Sequence, residues 1–304
     1  MPLPANPLAE VPDDASDAEL VRLVQQGDDA ALEALVARHR PWIYNVALRM
    51  VYLPQDAEDA TQEILIKVLT KLGSFEGRSR LRTWLYRIAV NHLLTMRRTR
   101  AEDLEWTFER YGQGLDAAPD LDLPDPATVP ADVQLIVDEA RIGCSMGMLL
   151  CLDREQRLVY ILGAIFGVTD AVGAELLEVS RDAYRQRLSR ARRDLHQFMH
   201  SKCGLVNSAN PCRCAKKTQA FIDAGFVDPR NLLFATAHLT RVHEVAPKVH
   251  QAVGALDAAY AAVHRDHPFH TPPALAGAIR RLLQEPEFES ILDPDGTRAR
   301  RRDV

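Results

Sequence analysis

Apolar residues recur three and four positions apart along almost the whole chain, and nowhere do Val, Ile and Thr alternate with polar residues as a half-buried strand requires. That period restricts the chain to packed helices, because a helix gathers such positions on one side. The expected fold class is therefore all-α. In 304 residues, 47% hydrophobic and 26% charged, there is material for two or three small domains with their own cores.

Punctuation divides the pattern. Ser16, with Glu19 three residues on, forms a capping-box pattern ahead of Leu20, Leu23 and Val24. Residues 1–16 are thus expected to be a disordered N-terminus, and residues 17–100 a helical domain. Pro41 suits the first turn of a new helix better than a helix interior. Beyond Pro54, the positions Ala57, Ala60, Ile64, Leu65, Val68 and Leu69 share one side, and Ser79 is placed to cap a helix carrying Trp84, Leu85 and Ile88. Over residues 101–130 the period fades. Asp116, Asp120, Asp122 and Asp125 stand among Pro124, Pro126 and Pro130, which reads as an extended, self-repelling linker. Helices resume over 131–199 as a second domain. A helical extension follows over 200–292, including stretches around Leu232, Leu233, Val249, Val253 and Leu256, and then a basic tail over 293–304.

The net charge of −5 hides a segregation. Residues 78–100 and 181–193 are dense in arginine and are separated by the acidic linker, so basic surfaces exist that the sum conceals. The first residues, Met1-Pro2-Leu3-Pro4-Ala5, carry no basic stretch ahead of an apolar core, and no apolar run suits a bilayer span, so neither secretion nor membrane insertion is expected. An odd number of cysteines, five, fits a reducing cytoplasm rather than a disulfide framework. No catalytic constellation stands out. A metal enzyme would call for an H-x-E or H-E-x-x-H arrangement, which the chain lacks.

Residues 167–193 read as a helix-turn-helix. Ala174, Leu176 and Leu177 pack the first helix, Val179-Ser180 makes the turn, and Ser180 caps the second helix. On that helix Tyr184, Leu188, Ala191 and Leu195 share a face; Arg185, Gln186, Ser189, Arg190 and Arg193 fall outside it, as a major-groove reader requires. Leu152-Asp153-Arg154-Glu155-Gln156-Arg157 precedes the pair, and Arg187-Leu188-Ser189-Arg190-Ala191-Arg192 ends it. Together they resemble the promoter −35-binding region, region 4, of extracytoplasmic-function (ECF) RNA polymerase sigma factors. The resemblance implies that Arg181, Arg185, Gln186, Ser189 and Arg190 contact DNA. Gly173 stands where that family usually has a packed aliphatic residue, Glu178 replaces a common turn glycine, and Tyr184 replaces a small aliphatic one.

The segment Gln55-Asp56-Ala57-Glu58-Asp59-Ala60-Thr61-Gln62-Glu63 resembles the sigma region 2 helix that grips the β′ coiled coil of core RNA polymerase, which implies that Asp56, Asp59, Gln62 and Glu63 bind polymerase. The acidic positions lie three to four residues apart, giving one charged edge. Arg82-Thr83-Trp84-Leu85-Tyr86-Arg87-Ile88-Ala89-Val90-Asn91 is similar to the element that captures the non-template strand at −10. It implies DNA contacts by Arg87, Asn91, Arg97 and Arg98, with arginines on the backbone and amides on unstacked bases. Leu65 takes the place of a frequent Phe, and Thr95 that of a frequent Asp. The expectation is a non-enzymatic sigma factor that binds core polymerase and promoter DNA, with its extension as a site of control. The alternatives are a polymerase-independent helix-turn-helix regulator and a metal-dependent enzyme, and a separate anti-sigma factor is a candidate partner.

The extension opens with Cys203, Cys212 and Cys214 within twelve residues, and His200 lies just upstream. These four are the candidate metal ligands, for zinc, although no cofactor is required by the promoter reading. Nearby Lys202, Arg213, Lys216 and Lys217 favour thiolates, which would serve a redox switch equally. Cys144 and Cys151 are seven apart and read as packing residues.

Overall fold

The structure, a computed structural model, describes residues 14–124 and 132–235. The far N-terminus, the end of the proline-rich segment, and everything expected of Val249, Val253, Leu256 and the basic tail lie outside them. Among the described residues every regular element is helical, and the single β-bridge joins Cys203 to Cys212.

The first four helices are α1 (Asp14–Gln25), α2 (Asp29–Val51), α3 (Pro54–Leu72) and α4 (Leu81–Thr95). They enclose a core of Leu32, Leu35, Ile43, Val46, Ile64, Val68, Leu85 and Val90, all nearly or wholly buried. Asp28 caps α2 by accepting from the Ala31 N–H, and Pro54 opens α3. Three sequence expectations change here. The helix α1 begins at Asp14, so Ser16 lies inside it. Ser79 does not cap α4, whose N-cap is Arg80 without a side-chain bond. Pro41 sits within an unbroken α2. A proline there removes a backbone bond, but Leu35, Val36, Trp42, Ile43, Val46 and Ala47 on both sides are buried. Burial of several such side chains, at about 1.5–3 kcal/mol each, outweighs the roughly 3 kcal/mol cost of an interior proline. Trp42 also stacks on Tyr86 at 3.9 Å.

The linker departs from its expected extended form. Thr99 and Glu102 form a capping box on the short α5 (Arg100–Asp103), and α6 (Phe108–Ala117) starts from Thr107. Phe108 packs on Phe198 at 5.1 Å, and the Tyr111 hydroxyl donates to the Cys144 carbonyl. The apolar residues of this segment outweigh its acidic composition. The second unit comprises α7 (Val133–Leu150), α8 (Arg154–Tyr160), a π-helical turn (Ile161–Ile165), α9 (Asp170–Leu177) and α10 (Arg181–Lys202). One further helix, α11 (Cys214–Asp223), packs against α7. Leu232 and Leu233, expected in a helix, lie in irregular chain held by a buried carboxylate: Glu139 accepts from the backbone N–H groups of Leu233, Phe234 and Ala235 at 2.7–2.8 Å.

Candidate nucleic-acid interface

The α9–α10 pair forms as the period requires. Ser180 accepts from the Ala183 N–H at 3.1 Å. Tyr184, Ala191 and Leu195 are fully buried, while Arg181, Arg185, Gln186, Ser189 and Arg190 are exposed on the other side. Arg185 is held by Asp170 at 2.7 Å and by Asp182, both within the same motif. The two unusual residues here compensate each other: a Cβ on Gly173 would lie 2.3 Å from Tyr184 Cζ. The large ring occupies the volume that a side chain at 173 would need. Glu178 takes the left-handed conformation at φ 54° that ends α9, a turn that glycine enters without steric cost.

On α3 the expected acidic edge is present. Asp59 and Glu63 are exposed, and Asp56 and Gln62 are half-buried. Burial pushes the Asp56 carboxyl up, and the Asp59 charge adds to this. Glu63 lies 3.6 Å from His92 Nε2.

The α4 face is arranged differently. Asn91, Arg97 and Arg98 are exposed. Arg87, however, points across to α9, where Glu175 and Glu178 stand 3.4 and 3.7 Å from its guanidinium. The helix-turn-helix unit thus packs on the helix expected to hold the −10 strand. The two units are not beads on an open tether. Trp84 is half-buried against Phe75.

A buried ionic hub fastens the same two units, and the sequence period gave no sign of it. Glu102 accepts from Arg154 at 2.5 and 2.8 Å, from Arg157 at 3.0 Å, and from the Thr99 N–H at 3.1 Å. Arg157 also donates to the Met50 and Leu152 carbonyls. Burial opposes ionisation of Glu102, but the Arg154 hydrogen bond, the Thr99 N–H and the Arg157 charge prevail and hold its carboxyl down at about 2. A second such node joins α1 to α2 and α4. Asp17 is paired with Arg38 at 2.5 Å and Arg82 at 2.8 Å, and its carboxyl lies well below the usual range despite burial.

Of the expected metal ligands, Cys203, Cys212 and Cys214 line one small cavity, while His200 is exposed and lies outside its lining. The fourth thiol at that cavity is Cys144 of α7, which reads as a packing residue in the sequence. Only the fold could reveal this, since 59 positions separate Cys144 from Cys203.

Residues 35–102 match the Sigma-70 region 2 family. The chain is 35% identical over 128 residues to an RNA polymerase sigma-H factor of Pseudomonas aeruginosa, covering 40% of this chain and 66% of that protein. It is 32% identical over 183 residues to an ECF RNA polymerase sigma-E factor of Haemophilus influenzae, covering 58% of this chain and 92% of that protein. A solved structure of CnrH in complex with the cytosolic domain of CnrY is similar at 25% identity and a TM-score of 0.41, over 60% of this chain and 96% of that one. The chain belongs to the ECF family of RNA polymerase sigma factors.

Proposed function

We propose that this sigma factor contacts its promoter through two separate faces and its polymerase through a third. As a sigma factor it binds core RNA polymerase and directs promoter-specific initiation, in a family of initiation factors rather than enzymes. The finer assignment places the −35 element against Arg181, Arg185, Gln186, Ser189 and Arg190. It places the −10 strand against Arg87, Asn91, Arg97 and Arg98, and the β′ coiled coil against Asp56, Asp59, Gln62 and Glu63. The observation that carries it is the division of α10, with Tyr184, Ala191 and Leu195 fully buried and every expected base-facing residue exposed. Guanidinium and amide groups on such a face match the acceptor and donor pattern of major-groove base edges. The site of action is the cytoplasm, where polymerase meets DNA. Among the described residues no helix is long and apolar enough to cross a membrane.

The test is run-off transcription with purified core polymerase on a genomic promoter library. Start sites that depend on both the factor and the core enzyme are expected, and Arg190→Ala should lower initiation at them. Binding of the same sites with equal affinity whether or not core polymerase is present would instead identify a polymerase-independent regulator.

A further inference from the structure

Four of the five cysteines converge on one place. Cys144 of α7, Cys203 at the end of α10, and Cys212 and Cys214 at the start of α11 line a cavity of about 30 Å³. The chain is shaped to bring them there. Cys203 and Cys212 are partners in the isolated β-bridge. Gly204 lets the two chain segments approach, since a Cβ there would lie 2.1 Å from the Cys212 carbonyl oxygen. Asn210 donates to the Cys203 and His200 carbonyls and closes the turn between them. Tyr111 fixes the helical turn that carries Cys144. The fifth cysteine, Cys151, lies outside the cavity lining and donates to the Gly147 carbonyl.

The surroundings suit thiolates once a cation is present. Thiols this close would repel one another if ionised, and a divalent cation removes that repulsion. Arg141 and Lys202 also line the cavity. They offset the two negative charges left when four thiolates bind one divalent ion. The described donors are not gathered at coordinating distance as the chain stands. Protonated thiols attract one another only weakly, and the ion supplies the force that draws them in.

We propose that Cys144, Cys203, Cys212 and Cys214 form a tetrathiolate zinc site that fastens the C-terminal segment to the helix-turn-helix domain. Zinc is the divalent ion whose tetrahedral preference and affinity for sulfur match four thiols. Binding converts four S–H groups to Zn–S bonds and releases four protons to solvent. His200 is not a ligand. The site is independent of which promoter the factor reads.

The full-length protein is purified under reducing conditions and titrated with zinc and with cobalt as a spectroscopic stand-in. One metal per chain is expected, with tetrahedral cobalt–thiolate charge-transfer and visible bands reaching their end point at one equivalent. Cys144→Ser should lower the charge-transfer intensity and weaken zinc at least ten-fold, whereas Cys151→Ser and His200→Ala should change neither. Should Cys144→Ser fail to fold by circular dichroism, proton release at neutral pH decides with the unaltered protein: close to four protons per metal supports the site, and fewer overturns it. An absent cobalt band, a folded Cys144→Ser with unchanged spectrum, or loss of the spectrum in His200→Ala would each overturn the assignment.

Discussion

Arginines on α10 and on α4 meet carboxylates in different ways. On α10, Arg185 is held by Asp170 and Asp182, which belong to the same helix-turn-helix and stand at the surface. Phosphates can replace them with no movement of the fold. On α4, Arg87 is held by Glu175 and Glu178 of α9, in the other unit. DNA reaching Arg87 would have to displace these two carboxylates. The face proposed for the −35 element is thus paired only within its own motif, whereas the face proposed for the −10 strand is paired in part with the other unit. The join between the two units combines one apolar core shared by α2, α4, α7, α8 and α9 with the buried Glu102 hub, whereas an exposed pair such as Arg87–Glu175 contributes little.

The largest effect is expected from breaking the hub. Glu102→Ala leaves Arg157 buried without a carboxylate, and removing one partner of a buried pair costs about 3–5 kcal/mol. Urea unfolding should show that loss, and limited proteolysis should show a loosened segment between the units. A change below about 1 kcal/mol would mean that other contacts hold the join. The hub also has a pH signature. The Glu102 carboxyl is held at about 2 against an ordinary 4.5, so its contribution is complete above the ordinary value. It fades as pH falls from there toward 2, where the folded-state group protonates. Glu102→Gln should flatten that limb of the stability profile.

On the α10 side the next effect is internal to the motif. Gly173→Ala should cost about 1–3 kcal/mol through overpacking against Tyr184, and Tyr184→Leu in the same chain should recover much of it. A pair of mutations that simply add would break the claim that the two positions compensate. Arg190→Ala should weaken binding of the −35 element by about 1–3 kcal/mol if its guanidinium reads a base. A competition assay across −35 variants measures this, and a uniform loss for all sequences would reduce Arg190 to a phosphate contact. The smallest effect is expected on α4. Glu175→Gln with Glu178→Gln removes exposed partners worth under about 1 kcal/mol, so open-complex formation should improve a few-fold at low salt and converge with the unaltered protein at high salt. An unchanged rate at low salt would show that Arg87 is not restrained by α9.

The helices and the α10 face were legible in the sequence because each depends on a period within one segment. Capping by Ser180 and the split between Tyr184, Ala191 and Leu195 and the exposed Arg185, Gln186, Ser189 and Arg190 are local properties. The misjudged places are those where tertiary burial overrode a local signal. Pro41 signals a helix start but lies in a helix whose two halves are both buried. Residues 108–117 look like part of an acidic tether, yet Phe108 and Tyr111 pin them to α10 and α7 as a helix. His200 is close to Cys203 in the chain but turned to solvent, while Cys144 is distant in the chain and faces the same cavity.

The sequence by itself determined an all-helical chain with an exposed, arginine-rich face on α10 and an acidic edge on α3, since helical period and charge spacing are read along one stretch of residues. The tertiary structure alone decided that Glu102 would join the two units through Arg154 and Arg157, that α9 would cover Arg87, and that Cys144 would meet Cys203, Cys212 and Cys214. These pairings are long-range. No local rule fixes which distant charge or thiol a folded chain brings together; that is settled by how the buried faces of whole helices fit.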